Sequence, residues 1–181
     1  MEKINAHIPK VIITGPESSG KTTLCKALAA HYGVPCVPEY ARQYLQEHGP
    51  GYRQADLLSI ARCQIDLEEA TLARQPRLLL CDTGLEVIRI WWEWRYGPCP
   101  AWLLEQSRQH LPDLYLLLSP DIPWQPDPLR ENPHDRQELF ARYQKLLDEY
   151  RVPYVVVGGS MDNRQKLAIA TIDKIMSAPH G

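Results

Sequence analysis

Residues 11–23, with the sequence VIITGPESSGKTT, decide the fold of this chain. An apolar, β-branched run is followed by a G-x-x-x-x-G-K-[ST] pattern over residues 15–22, and this pattern leads directly into a helical segment. Backbone N–H groups of such a loop and the positive end of the helix dipole favour a bound phosphate. The stretch therefore predicts binding of ATP or GTP, with phosphate contacts from Gly15, Glu17, Ser18, Ser19, Gly20, Lys21, Thr22 and Thr23.

Three side chains near this loop are candidates for phosphate and metal binding. Lys21 is placed to reach the β- and γ-phosphates, and Thr22 is placed to offer its hydroxyl to Mg²⁺. Asp82 ends the apolar run LLLCD, which is where P-loop proteins carry the acid that holds Mg²⁺. A helix N-cap is the alternative role for Asp82, and the two roles are compatible. We therefore expect Mg²⁺ to be held by Thr22 and Asp82.

Length and composition favour one globular domain that acts on a small molecule. The chain has 181 residues, of which 44% are apolar and 23% charged, so a single domain over residues 1–181 is expected. A net charge of -2 argues against nucleic acid as the main partner. Neither a signal peptide nor an apolar run of membrane-spanning length is present, which predicts a cytoplasmic protein that does not enter a membrane. The five cysteines form no C-x-x-C pair and are interpreted as reduced thiols; the oligomeric state is left open.

Alternating strand and helix patterns predict an α/β fold. After a polar lead-in over residues 1–9, five strand candidates alternate with helical segments and imply a mostly parallel sheet with helices on both faces. This is the three-layer P-loop NTPase fold. The predicted strands lie at residues 11–14, 34–37, 77–82, 114–118 and 154–157, and a proline-rich segment at about residues 121–136 is predicted to be an ordered lid.

Charged residues outside the phosphate loop are candidates for the transfer step. Glu39 follows the weak second strand, where an acid in small-molecule kinases faces the acceptor hydroxyl and takes its proton; a surface acid that begins a helix is the alternative. Arg42 would share a helix face with Glu39, and an ion pair is its simpler interpretation. In the lid, Arg130 and Arg136 are expected to stabilise charge on the transferring phosphate, with a solvated charged loop as the alternative.

Four of the tryptophans fall within twelve residues. Helical spacing places Trp91 and Trp94 on one face and Trp92 on another, so they cannot all be core residues. An exposed indole face can stack on an aromatic base or a cation, whereas core packing is the alternative for each tryptophan.

A resemblance is carried by seven segments: GPESSGKTT, VPEYAR, IARCQ, LLLCDT, WWEWRYG, WQPDPLRENPHDR and VPYVVVGG. Together they resemble the ribosylnicotinamide kinase domain at the C-terminus of bifunctional NadR proteins, over nearly the whole chain. The resemblance implies a fold similar to nucleoside kinases and phosphorylation of nicotinamide riboside, with ATP and Mg²⁺, in NAD salvage. It implies a riboside site of Glu39, Tyr40, Arg42, Gln64, Asp82 and Trp91, and a lid that contains Trp124, Asp127, Leu129, Arg130 and Arg136.

The chain departs from this family in three respects. Many relatives read D-T-D where this chain reads Asp82-Thr83-Gly84, which weakens any role for a second acid. Pro38 replaces an aromatic residue that faces the base in some members, which leaves Tyr40 or Trp91 to stack on it. The chain also begins at the kinase strand, so repression and NAD synthesis are not assigned to it. A stand-alone riboside kinase is the expected function; a kinase of another nucleoside and a regulatory ATP-binding module are the alternatives.

Overall fold

A five-stranded parallel sheet forms the centre of the protein. The computed structural model describes residues 7–178, so the first six residues of the expected lead-in lie outside it. The strands are mainly apolar. The three central strands are buried on both faces, as in other parallel sheets, whereas Val156 of an edge strand is 40% exposed. They are β1 (Lys10–Thr14), β2 (Cys36–Val37), β3 (Leu79–Asp82), β4 (Leu114–Leu118) and β5 (Tyr154–Val157), in the order β2-β3-β1-β4-β5.

Helices cover both faces of this sheet and confirm the predicted three-layer α/β fold. One face packs against α1 (Lys21–Tyr32) and α7 (Met161–Ser177) through side chains such as Leu28 and Ile172. The other face packs against α4 (Leu85–Tyr96) and α6 (Arg136–Tyr150) through Val87 and Leu147. Within residues 7–178, no helix combines the length and the apolar character that a membrane span requires. The helices are α1 (Lys21–Tyr32), α2 (Tyr40–His48), α3 (Gln54–Leu72), α4 (Leu85–Tyr96), α5 (Ala101–Gln109), α6 (Arg136–Tyr150) and α7 (Met161–Ser177).

The strand order determines where a ligand can bind. The chain leaves β1 toward β2 and β3 on one side, and β4 and β5 lie on the other side. A crevice opens at the carboxyl ends of the strands where the direction of the connections reverses. The loop after β1 and Asp82 at the end of β3 lie at this crevice, because Asp82 pairs in register with Ile13 of β1. Residues 119–135 contain neither helix nor strand, and the role of residues 121–136 as a lid stays a prediction.

The prediction that all five cysteines are free thiols is wrong. The structure joins Cys25 of α1 to Cys36 of β2 in a disulfide and leaves Cys63, Cys81 and Cys99 free. Gly33 ends α1 with a φ of 64° and turns the chain back along the helix. The two Cα atoms therefore lie 6.3 Å apart although 11 positions separate them in sequence. Motif spacing does not reveal this contact, because it depends on how β2 packs against α1.

Candidate active site

A cavity of about 510 Å³ lies at the carboxyl ends of the strands. Its lining includes the phosphate loop and the start of α1, residues of the predicted lid, and aromatic residues from the loop before α3, from α4 and from α6. The lining residues include residues 15–23, Glu39, Arg42, Tyr52, Trp91, Trp94, Ile122, Gln125, Arg130, Tyr143 and Met161.

The phosphate loop is held by its own side chains. A Cβ at Gly15 would lie 2.7 Å from the carbonyl oxygen of Leu118, so glycine is required there. Ser19 Oγ donates to the carbonyl of Pro16 at 2.7 Å, and Lys21 Nζ donates to the carbonyls of Gly15 at 2.9 Å and Pro16 at 2.8 Å. These bonds hold the loop in its curled shape. Lys21 lines the cavity, and its contact with the β- and γ-phosphates stays a prediction.

Thr22 and Asp82 meet below the loop. The Thr22 hydroxyl donates to Asp82 Oδ2 at 2.6 Å, while the buried Oδ1 of Asp82 has no hydrogen-bond partner. Burial raises the pKa of Asp82, and the Thr22 hydrogen bond and Lys21 oppose this rise. A hydroxyl and a carboxylate are hard oxygen ligands that suit Mg²⁺. In residues 7–178, no cluster of three or more His, Cys, Asp or Glu could hold a metal unaided, so Mg²⁺ here would need phosphate or water ligands as well.

Glu39 lies directly before α2 and lines the cavity. Its pKa is raised to about 7, mainly because burial disfavours the charged carboxylate; the nearby Asp82 raises it further, and Lys21 and Arg42 lower it. A carboxyl that titrates near neutral pH is suited to accept a proton from a hydroxyl. The ion pair between Glu39 and Arg42, the alternative interpretation of Arg42, is not present among the described residues. Arg42 Nη2 donates instead to Asp127 Oδ2 of the lid at 2.6 Å.

The two lid arginines contact the phosphate loop at the same residue. Arg130 Nη1 donates to Ser18 Oγ at 3.3 Å, and Arg136 Nη1 donates to the carbonyl of Ser18 at 3.1 Å. Both guanidinium groups lie near the ring of Trp124, at 5.9 and 5.8 Å from its centroid. Arg130 lines the cavity, whereas Arg136 is bound to carbonyl oxygens of Ser18 and Ile122.

Aromatic side chains form part of the cavity lining. Trp91 and Trp94 both line it, while Trp92 is buried and donates from its indole nitrogen to the carbonyl of Pro98. Helical spacing predicts this division between the two faces of α4. Trp91 also stacks on Tyr52, with ring centroids 5.8 Å apart and planes 22° apart. Tyr52 lies in the loop before α3, and no sequence pattern pointed to it.

Three predicted substrate contacts lie outside the cavity lining: Asp82, which is bound to Thr22, and Tyr40 and Gln64. Gln64 is buried in α3, where its Oε1 accepts the backbone N–H of Tyr40 at 2.9 Å and its Nε2 donates to the carbonyl of Pro38 at 3.3 Å. The Tyr40 side chain packs among residues of α2 and α3. Gln64 therefore holds the backbone on both sides of Glu39. The structure brings Glu39, Arg42 and Trp91 to the cavity, and it places Tyr40 and Gln64 behind it.

Sequence reasoning missed a buried acid next to Asp82. Glu86 is 1% exposed, its Oε1 accepts the backbone N–H of Gly84 at 3.0 Å, and burial raises its pKa to about 7. A Cβ at Gly84 would lie 2.7 Å from Glu86 Oε2. In a D-T-D sequence the second acid stands at position 84, so its side chain would begin in the space that Glu86 fills here. The adjoining Thr83 has a φ of 67°, which is rare for a β-branched residue. An acid in the first turn of a helix is usually a surface residue, and no other feature of the sequence indicates that Glu86 is buried.

Comparisons with known proteins agree with this geometry. A family profile described as "AAA domain" matches residues 10–164. The "Trifunctional NAD biosynthesis/regulator protein NadR" of Escherichia coli (strain K12) is 29% identical over 156 residues, which cover 81% of this chain and 37% of that protein. This chain therefore spans little more than a third of the length of that relative.

Two solved structures share the fold. A crystal structure of NadR in complex with NAD and AMP-PNP has a TM-score of 0.74 and 21% identity, over 96% of this chain and 51% of that one. A crystal structure of NadR in complex with NR has a TM-score of 0.71 and 21% identity, over 94% of this chain and 52% of that one. These comparisons confirm the predicted resemblance to NadR and the predicted P-loop fold.

Proposed function

The chain belongs to the AAA domain family, and from this premise we propose that it is a kinase that transfers the γ-phosphoryl group of ATP to the 5'-hydroxyl of nicotinamide riboside. One observation carries the proposal: a single cavity is lined both by the phosphate loop and by Glu39, an acid whose pKa is raised to about 7. Phosphoryl transfer needs little more than a positioned acceptor, a proton acceptor and stabilised charge. The 181 residues would act as one kinase domain, with the lid at residues 121–136.

Six of the residues predicted from the sequence have a role in this reaction. Lys21 stabilises charge on the β- and γ-phosphates, and Arg130 and Arg136 bring further positive charge from the lid. Glu39 accepts the proton of the 5'-hydroxyl as its oxygen attacks phosphorus. Thr22 and Asp82 would hold Mg²⁺, which neutralises phosphate charge when it is bound.

Nicotinamide riboside is the proposed acceptor for a chemical reason as well as by relation to NadR. Its pyridinium ring carries a fixed positive charge, and the cavity is lined by Tyr52, Trp91 and Trp94. Arg95 and Arg142 lie over the rings of Tyr52 and Trp94, at 4.7 and 4.5 Å from the centroids, so Trp91 is the ring proposed to face the pyridinium. An aromatic face attracts a cation by roughly 0.5 to 2 kcal/mol, depending on how far both are desolvated. Uncharged nucleosides lack this attraction.

The test is riboside-dependent release of ADP. The protein is incubated with MgATP and, in turn, nicotinamide riboside, adenosine, thymidine or no acceptor. We expect saturable ADP release with nicotinamide riboside, and Lys21→Ala should remove most of it while the protein stays folded. Faster release with an uncharged nucleoside would identify a different nucleoside kinase. ADP release that no riboside accelerates would overturn the kinase assignment in favour of a regulatory ATP-binding module.

A further inference from the structure

Glu17 lies within the phosphate loop, yet its carboxylate contacts the lid. Glu17 Oε2 accepts the backbone N–H of Asn132 at 3.0 Å and that of Glu131 at 3.2 Å, and Oε1 accepts the N–H of Glu131 at 3.4 Å. These backbone donors lie 114 and 115 positions away in sequence. The side chain therefore joins two separate parts of the cavity wall.

The charge of Glu17 argues against direct phosphate binding. A carboxylate repels the phosphates that the loop is built to hold, unless it is directed away from them or neutralised. Burial raises the pKa of Glu17 above its ordinary value; the two lid N–H donors and the nearby Lys21 oppose this rise, and the Glu131 carboxylate adds to it. The carboxylate is thus supplied with donors by the lid rather than left to face the phosphates.

A second contact between the same two segments lies close by. Ser18 Oγ accepts the backbone N–H of Gln125 at 2.9 Å. Arg130 lies between Gln125 and Glu131 in sequence, so the contacts of Ser18 and Glu17 fix the lid on both sides of this arginine. The phosphate loop supplies the acceptors in both contacts, and the lid backbone supplies the donors. Because the donors are backbone N–H groups, these contacts do not depend on which side chains the lid carries.

We propose that Glu17 is a positioning residue that latches the lid onto the phosphate loop and so presents Arg130 to the transferring phosphate. This role in turnover rests on the proposed kinase function, while the latch itself does not. A lid fixed in one register excludes water from the cavity and places its arginine reproducibly, and small errors in such placement are costly to catalysis. Loss of the latch should therefore lower kcat more than it weakens ATP binding.

The latch is tested first without any assay of activity. Amide hydrogen exchange at residues 131 and 132 is measured in the full-length protein for wild type, Glu17→Ala, Glu17→Gln and the control Glu138→Gln, which removes an exposed carboxylate on α6. Glu17→Ala should speed exchange at these two amides about tenfold, because hydrogen bonds to a charged acceptor are among the stronger ones. Glu17→Gln keeps one carbonyl acceptor, so its exchange rate at these amides should lie between those of wild type and Glu17→Ala. The exchange rate of Glu138→Gln should match that of wild type. Unchanged exchange at residues 131 and 132 in Glu17→Ala would overturn the latch, as would faster exchange throughout the protein.

Turnover of nicotinamide riboside by the same variants tests the consequence. Glu17→Ala should lower kcat about tenfold, change the KM for ATP by less than about threefold, and raise riboside-independent ATP hydrolysis relative to transfer. Glu17→Gln should recover part of kcat. A raised KM for ATP with unchanged kcat would make Glu17 a phosphate-binding residue and overturn the proposal. If wild type phosphorylates no riboside, the kinase assignment fails, while the exchange measurement still decides the latch.

Discussion

Replacement of Glu39 by Gln tests the proposed proton acceptor through the pH dependence of turnover. Glutamine keeps the size of the side chain and removes its ability to accept a proton. Because the pKa of Glu39 is raised to about 7 in the free protein, only about a tenth of the molecules carry the carboxylate at pH 6. In wild type, kcat/KM for the riboside should therefore fall about tenfold for each pH unit below 7.

The variant should lose both activity and this pH dependence. A positioned general base contributes about a hundredfold or more, so Glu39→Gln should lower kcat by roughly a hundredfold and flatten the acidic limb. The assay is an initial-rate profile from pH 5.5 to 8.5 at saturating MgATP. Glu47→Gln is the matched control, because Glu47 is an exposed acid on the same helix. Unchanged kcat would refute the role of Glu39, and an acidic limb that persists in the variant would assign the titration to Asp82.

The same raised pKa predicts a change in stability. A carboxyl with a folded-state pKa above its ordinary value of 4.5 favours the fold when protonated, and this contribution is lost as the pH rises through about 7. Glu39→Gln should therefore stabilise the protein at pH 8, by on the order of 1 to 3 kcal/mol, and have little effect at pH 5. Urea unfolding at the two pH values checks the sign. An equal effect at both would show that Glu39 titrates at an ordinary pKa.

Four further predictions concern the cavity and the disulfide. Arg130→Ala and Arg136→Ala should each lower kcat more than they raise the riboside KM, and steady-state kinetics in which only KM changes would make them binding residues. Trp91→Leu should weaken nicotinamide riboside about two- to thirtyfold more than an uncharged riboside in calorimetric titrations; equal losses would exclude cation stacking. Thiol titration of unfolded protein should find three free thiols without reductant and five with it. In the oxidised protein, Cys36→Ser should lower the free energy of unfolding by about 3 kcal/mol, given the 11-residue separation from Cys25, and five free thiols without reductant would contradict the bond.

Local patterns were sufficient to predict the fold. The G-x-x-x-x-G-K-T motif, the buried apolar runs and the glycine and proline breaks all depend on neighbouring residues, so the sequence predicts five strands close to where the structure has them. The phosphate loop is predicted by its motif. The position of Asp82 beside it is predicted because parallel strands end at one edge of the sheet. Helical spacing also predicted that Trp91 and Trp94 would share a face of α4.

Contacts between distant segments could not be predicted in the same way. Cys25 meets Cys36 only because β2 runs back along α1. Arg42 pairs with Asp127 in the lid rather than with Glu39, which directly precedes α2. Glu86 looks like an ordinary acid at the start of a helix, and its burial depends on the packing of α4 against the sheet. Each of these features is set by tertiary packing, which no local pattern encodes.

The most direct test of the central claim is detection of the phosphorylated product. The protein is incubated with nicotinamide riboside, ATP and Mg²⁺, and the reaction is analysed by mass spectrometry, with Lys21→Ala as the control. If the protein is a nicotinamide riboside kinase, wild type yields nicotinamide mononucleotide and ADP in equal amounts, and the variant yields little of either. ADP without nicotinamide mononucleotide, or no product at all from the folded wild-type protein, would contradict it.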